Sequence, residues 1–159
     1  MANQDVWMKI DPVEHRELNR FINTVISKSG DGRPLWNTYE SHIHNSIHKN
    51  FREGGRPQRW APLAESTIKA RKRKGTWGKQ GGQQILREHG TLERSIGSVN
   101  RKTAKTFEYG TNLEKAAFLQ FGGTMPTGGK VPGRPYVVMQ NRDIDTLIDY
   151  TWLHLLPRR

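Results

Sequence analysis

Apolar residues recur at helical spacing in three stretches of the chain. The first stretch follows Asp11 and Pro12, because an aspartate can cap free backbone amides and a proline suits a first helical turn. Its pattern ends near Gly30, a typical helix stop. The second stretch spans about 34–51 and the third about 143–155. Since an amphipathic face needs a partner, the pattern predicts two N-terminal helices and a C-terminal helix that pack on another layer.

Shorter signals lie between the second and third of these helices. The spacing predicts a basic helix at about 65–74, a single helical turn after Gly90 and a short helix at 113–121. Residues 96–102 and 105–111 are rich in β-branched and aromatic side chains, which favours a β-hairpin.

Glycine-rich segments separate these elements. We expect mobile loops at 75–84 and 122–134, and 122–135 contains five glycines and three prolines. The apolar, β-branched run 135–139 predicts a strand. The predicted fold is therefore α+β, a single domain over 1–159 whose helices pack on a small, mainly antiparallel sheet with long Gly-rich loops.

Composition excludes several classes of protein. The 159 residues contain no cysteine, which removes disulfides, a thiolate nucleophile and cysteine-based metal sites, and which suits a reducing cytoplasm. No run approaches the ~20 apolar residues that a membrane span needs. The first ten residues lack the apolar core of a signal peptide. We therefore expect no membrane contact.

The positive charge is concentrated in the middle of the chain. Lysine and arginine total 26 against 15 acidic residues, a net charge of +11, and residues 54–105 alone hold 13 basic and 3 acidic side chains. Such a cluster attracts polyanions, including DNA phosphates. The alternative is a solvated surface that keeps the protein soluble. The densest basic residues are Lys69, Arg71, Lys72, Arg73, Lys74 and Lys79.

Three histidines resemble a metal-binding helix at first sight. His44 and His48 lie four residues apart and share a helix face with His42 nearby. A zinc protease helix also needs a glutamate within the pattern H-E-x-x-H, and this chain has Asn45 at that position. The simpler interpretation is polar side chains on the outer face of an amphipathic helix. We predict no metal site.

Three aspartates in the last helix raise the question of a nuclease. Asp145 and Asp149 share a face, with Asp143 two residues before Asp145, but a two-metal site also needs ligands from other elements. Solvated charges that complement the helix dipole explain these aspartates more simply. The chain also lacks the G-x-S-x-G, P-loop and dinucleotide patterns. We expect neither catalysis nor a cofactor.

An ordered series of short motifs runs from Phe51 to Tyr136. Phe51 ends the second helix before Gly54-Gly55. Later in the series come Ser95-Ile96 and then the stretch 116–122. The other motif residues are Trp60, Pro62, Leu63, Thr67, Leu86, Gly90, Leu92, Gly122, Pro132, Arg134, Pro135 and Tyr136. In this order the series resembles the phage tail-completion, or virion-morphogenesis, family of Mu-like and P2-like tailed phages, and it covers more than half of the chain.

The resemblance implies a structural protein of the virion, assembled in the host cytoplasm, and not an enzyme. Members of this family act in tail completion and head–tail joining. The implied form is a homo-oligomeric ring at the neck or tail end, in contact with other phage tail or neck proteins. In such a ring the basic segment would face packaged DNA or an acidic partner. Charge reversal at Arg71, Lys72 and Arg73 is then expected to impair assembly or DNA retention.

Two motif positions allow more than one interpretation. Arg134 could reach a carboxylate in a fixed geometry, although we favour a rigid turn at 132–136 that leads into the strand. Trp60 is interpreted as a core anchor. The rival function is a basic DNA-binding accessory or regulatory protein, against which stands the lack of a helix-turn-helix, a zinc finger or aromatic stacking platforms. A small nuclease is a third alternative.

Overall fold

A computed structural model of the protein describes residues 6–9, 16–79 and 81–155. Within these ranges the chain forms six helices and five short strands, which confirms the predicted α+β class. The start of the first predicted helix at Asp11 lies outside the described residues. In chain order the elements are β1 (Val6–Lys9), α1 (Arg16–Ser29), α2 (Arg33–Glu53), α3 (Glu65–Arg73), α4 (Thr91–Arg94), β2 (Val99–Lys102), β3 (Phe107–Thr111), α5 (Ala116–Phe121), β4 (Gly122–Thr124), β5 (Lys130–Pro132) and α6 (Asn141–Leu155).

Two antiparallel sheets hold the strands. The larger has the order β1-β3-β2, with Tyr109 of β3 opposite Met8 on one side and Asn100 on the other. The predicted hairpin supplies β2 and β3, while β1 was not predicted. The smaller sheet is the β4–β5 hairpin, with Gly122 opposite Pro132.

Helix α2 carries most of the core. Its side chains Leu35, Trp36, Tyr39, Ile43, Ile47 and Phe51 are all at most 2% exposed. They pack with buried residues of α1, α4, β3 and α6 in one cluster. A 21-residue helix enclosed in this way must satisfy its buried polar groups inside the protein. None of the helices in the described ranges is long and apolar enough to cross a membrane.

One side of α2 is tied to the larger sheet. Trp36 donates from its indole nitrogen to the carbonyl of Thr103 at 3.1 Å. One turn later, Glu40 accepts hydrogen bonds from Lys102 and from Asn100. The hydrogen bond from Lys102 holds the pKa of the Glu40 carboxyl below its ordinary value, although burial opposes this shift. These bonds join the helix to the β2 end of the sheet.

The opposite side of α2 is tied to α6 through Asp143. This carboxylate is 3% exposed and accepts from His42 Nε2 at 2.9 Å, from Ser46 Oγ at 2.7 Å and from the Gln140 amide at 2.8 Å. Tyr39 donates its hydroxyl proton to the Asp143 carbonyl at 2.9 Å. Because Gln140 precedes α6, the same carboxylate also caps an otherwise free amide at the start of that helix.

Two predictions for the C-terminal half were wrong in detail. Residues 135–139 do not form a strand, because their polar backbone groups bond to side chains instead of a neighbouring strand. The segment 122–134 is not a simple loop, since it contains the β4–β5 hairpin. The short helix predicted at 113–121 begins at Ala116. Mobility at 75–84 and 122–134 stays a prediction.

The buried carboxylate of Asp143 leads to a stability prediction. Asp143→Asn keeps the shape but turns one acceptor oxygen into a donor that faces the Ser46 hydroxyl, the Gln140 amide or His42. Leaving a buried donor unpaired costs about 1–3 kcal/mol. We expect a loss of that size in the free energy of unfolding, measured by urea denaturation. Asp145→Asn, at an exposed position of the same helix, is the matched control and should change stability by less than about 0.5 kcal/mol. Equal losses in the two variants would contradict the assignment.

Candidate functional site

The residues of the motif series meet around the segment 134–137. The indole of Trp60 donates to the Pro135 carbonyl at 2.8 Å, and the Asn50 amide donates to the Tyr136 carbonyl at 2.8 Å. Tyr136 itself is fully buried, and its hydroxyl donates to the Ala116 carbonyl at 3.1 Å. Burial raises the pKa of this hydroxyl well above its ordinary value, so it remains a donor. The prediction that Trp60 is a core anchor is confirmed.

Gln120 completes this frame from α5. Its Oε1 atom accepts from the amides of Tyr136 and Val137 at 3.0 and 3.1 Å, and its Nε2 atom donates to the Val137 carbonyl at 3.0 Å. A single side chain thus provides the pairing that a neighbouring strand would give. Neither Gln120 nor Asn50 was singled out from the sequence. For Gln120, the sequence did offer a signal: it is a polar residue in the otherwise apolar helix α5.

Arg134 connects the same segment to the stretch after α2. Its guanidinium donates to the carbonyls of Ala61 and Pro62 at 3.1 and 3.0 Å, and its backbone amide donates to Leu119. The acceptors are carbonyl oxygens and not the carboxylate that we considered. Burial, and secondarily the nearby charge of Arg71, lower the pKa of Arg134 below its ordinary value. Arg134 is therefore a cross-link inside the protein that carries a poorly neutralised positive charge.

An open groove of about 470 Å³ lies beside this frame. Its walls come from α3, the stretch 86–92, α5 and the β4–β5 hairpin. More than half of the motif residues line this groove: Leu63, Thr67, Leu86, Gly90, Leu92, Pro132 and Arg134. The motif series thus builds both the buried frame and the wall of a surface groove.

Two backbone positions shape the groove. Leu86 has φ +60°, a left-handed conformation that L side chains rarely adopt and that costs roughly 1–2 kcal/mol. Gly122 has φ +77°, and a Cβ at this position would lie 2.4 Å from the Gly133 nitrogen. The turn from α5 into β4 therefore requires glycine, while the strain at Leu86 is held by its surroundings.

Arg71 belongs to the interior of the basic segment. Its side chain is buried, with Nη1 donating to the carbonyls of Gly82 and Gln84 at 2.7 and 2.9 Å and Nε lying 3.4 Å from Glu88. A Cβ on Gly82 would lie 1.7 Å from the Thr76 carbonyl oxygen, so the stretch folds closely on itself. Arg71 organises the Gly-rich segment and is not placed to contact a polyanion.

The other basic candidates are exposed. Lys69, Lys72, Arg73, Lys74 and Lys79 all reach solvent. Part of this charge has a local role, because cations in the last turn of α3 complement its dipole. The Lys72 ammonium also lies 5.6 Å from the centre of the Trp77 ring. Contact of these five side chains with DNA or an acidic partner stays a prediction.

The three histidines of α2 do not lie on an outer face, and that expectation was wrong. His42 bonds to Asp143, His44 Nδ1 lies 2.5 Å from the Tyr109 hydroxyl oxygen, and His48 Nδ1 lies 3.2 Å from Glu93. Burial, followed by the proximity of His48, lowers the pKa of His44. In the part of the chain that the structure describes, no three His, Cys, Asp or Glu side chains are grouped as metal ligands.

The three aspartates of α6 also separate. Asp143 is buried in the network between α2 and α6, so its interpretation as a solvated charge was wrong. It does lie in the first turn of α6, where a negative charge complements the helix dipole, as expected. Asp145 and Asp149 are exposed on the helix surface, in line with their interpretation as solvated charges. The carboxylates therefore do not share a common site.

Comparison with known proteins gives one match. No curated protein and no solved structure matches the chain. The sequence profile of the phage virion morphogenesis family matches residues 13–155, which include the whole motif series and the groove that it lines. The chain therefore belongs to the phage virion morphogenesis family and has a role in the assembly of phage particles.

Proposed function

We propose that the protein acts in tail completion and head–tail joining, as a ring-forming component of the neck or tail end. The observation that carries this proposal is the convergence of the motif residues on one buried frame and one open groove. A frame of this kind suits a protein that presents a fixed surface to neighbouring subunits. Assembly would take place in the host cytoplasm, and the partners would be other tail or neck proteins.

We propose a structural role and not an enzymatic one. Several side chains that could serve as acids, bases or ligands are engaged in holding elements together. His42 and Asp143 join α2 to α6, His48 contacts Glu93 of α4, and Arg134 joins two segments of the frame. Groups held in this way stabilise the fold, and they need no substrate to account for their position.

The exposed basic residues support contact with an anionic surface. In a ring, the five exposed cations of α3 and the following turns would repeat around the axis, which multiplies a weak contact into a strong one. The facing surface would be packaged DNA or an acidic neighbour. The charge-reversal variant should leave Arg71 unchanged, because loss of the Arg71 side chain would also disturb the loop that it holds.

A lysate of the parent phage that lacks this chain tests the proposal by electron microscopy. We expect filled heads beside separate, unjoined or abnormal tails. The wild-type chain supplied in trans should restore joined particles, and Arg73→Glu with Lys74→Glu should restore far fewer. Arg52→Glu with Lys105→Glu makes the same charge change at exposed positions outside the cluster from Lys69 to Lys79 and should complement normally. Intact joined particles without the chain would contradict the role in joining.

The same basic surface favours a second candidate, a DNA-binding accessory protein. A cheap test is the binding of the purified chain to random duplex DNA at a low and a moderate salt concentration. Phosphate contacts make affinity fall steeply with salt, with a slope of about −0.9 for each phosphate neutralised. We expect weak binding by the isolated chain, because a single subunit presents few cations. Tight binding with a steep salt slope would favour the accessory role instead.

A further inference from the structure

Large exposed hydrophobic side chains form two pairs on different parts of the protein. In the described ranges they are Phe121 and Met125, 76% and 42% exposed, and Trp152 and Leu153, 51% and 65% exposed. Isolated exposed hydrophobic residues are common on soluble proteins, whereas clustered ones mark interaction surfaces. Each pair therefore identifies a surface that is suited to contact with a partner.

The first surface, the groove face, consists of Lys115, Phe118, Phe121, Met125 and Lys130. Four of these residues line the groove, and Phe121 ends α5 immediately before the β4–β5 hairpin. Lys115 and Lys130 are exposed and place positive charge beside the apolar side chains. The buried guanidinium of Arg134, which also lines the groove, adds to this positive potential. The groove face is apolar with a basic border.

The second surface, the α6 face, consists of Asp145, Asp149, Trp152 and Leu153. These residues are three or four apart along one helix and so share a face. The ring of Trp152 packs on Phe21 with a centroid separation of 5.0 Å, which fixes its position. The two aspartates are exposed. Arg142, three residues before Asp145, is also exposed on this side of the helix, so the border holds two acidic side chains and one basic side chain. The α6 face is therefore apolar with a net negative border, and its charge is opposite to that of the groove face.

Within one subunit the two faces belong to different groups of elements. Helix α6 packs its inner side on α1 and α2, while the groove face is built from α5 and the β4–β5 hairpin. A contact between two unlike surfaces of identical chains is heterologous, and repetition closes it into a ring when the rotation permits. Complementary charge and paired apolar side chains on the same chain favour a second copy as the occupant.

We propose that the α6 face of one subunit docks on the groove face of the next, with Trp152 and Leu153 against Phe121 and Met125. Asp145 and Asp149 then lie opposite Lys115 and Lys130. This inference rests on the proposed ring-forming function and names the surfaces that form the ring. The motif series lines the groove because the groove receives the neighbouring subunit.

A charge-swap cycle with the full-length chain tests this interface. The first variant carries Asp145→Lys and Asp149→Lys, and the second carries Lys115→Glu and Lys130→Glu. The readout is oligomeric mass against concentration, by light scattering and sedimentation. We expect the wild type to assemble and each variant alone to associate at least roughly tenfold more weakly, because like charges then face each other. Lys105→Glu, in the turn between β2 and β3, should assemble as the wild type does.

Mixing the two variants gives the decisive result. Each reversed face then meets a complementary face on the other variant, so an alternating oligomer should form at equal amounts of the two proteins. Phe121→Ser and Leu153→Ser should weaken assembly of the wild type without changing its far-ultraviolet circular dichroism, since both side chains are exposed in the monomer. Assembly that the reversals leave unchanged, or that mixing does not restore, would overturn the interface.

The outcome is separable from that of the proposed function. A chain that stays monomeric at its highest soluble concentration overturns the docking proposal, even if its deletion leaves heads and tails unjoined. Conversely, a charge-swap cycle that behaves as expected in a phage that joins heads and tails without the chain would support the interface and reject the role in joining.

Discussion

Helix α2 is enclosed by the larger sheet, by α6 and by the segment around Tyr136, so every polar group that it buries needs a partner inside the protein. The Thr103 carbonyl, next to β2 of the sheet, accepts from the Trp36 indole, and the Asp143 carboxylate accepts from His42 and Ser46. Each of these bonds fixes a neighbouring element at one turn of the helix. Removal of one partner would leave a buried group unpaired, which costs more than the bond itself contributes. The position of the other elements therefore depends on the partners of α2.

The frame around Tyr136 extends this constraint to the surface. Asn50 of α2 donates to the Tyr136 carbonyl, and Gln120 of α5 accepts from the amides of Tyr136 and Val137. Arg134 lies next to this segment and also lines the groove, so the shape of the groove is linked to the packing of the core. This link gives a physical reason for the places that the motif residues occupy. They hold a surface in position, and we propose that neighbouring subunits use that surface.

The sequence predicted those elements whose signal is local. The three long amphipathic helices, the hairpin of β2 and β3 and the anchoring role of Trp60 all follow from periodicity and residue type. The order of the motifs also identified the family. These features depend on residues that are close together in the chain or on the order in which short motifs follow one another.

Long-range polar contacts could not be predicted in this way. Residues 135–139 have the composition of a strand, but Gln120 and Asn50 take the place of the neighbouring strand. The hairpin of β4 and β5 lies in a glycine-rich stretch. Its strands pair through backbone groups, and its side chains give little sign of that pairing in the sequence. Arg71 has the same charge as its exposed neighbours, and its burial depends on carbonyls that lie 11 and 13 residues away. For residues 135–139 and for Arg71, the deciding partners lie outside the local sequence pattern.

Side chains of α2 and α5 hold the irregular segment around Tyr136 as firmly as a sheet would. Hydrogen exchange, followed residue by residue with nuclear magnetic resonance, measures how firmly this segment is held. The amides of Tyr136 and Val137 should exchange as slowly as those in the middle of α2, because their acceptor is the buried Gln120 side chain. Exchange of these two amides at the rate of unbonded, solvent-exposed amides would show that the frame does not form.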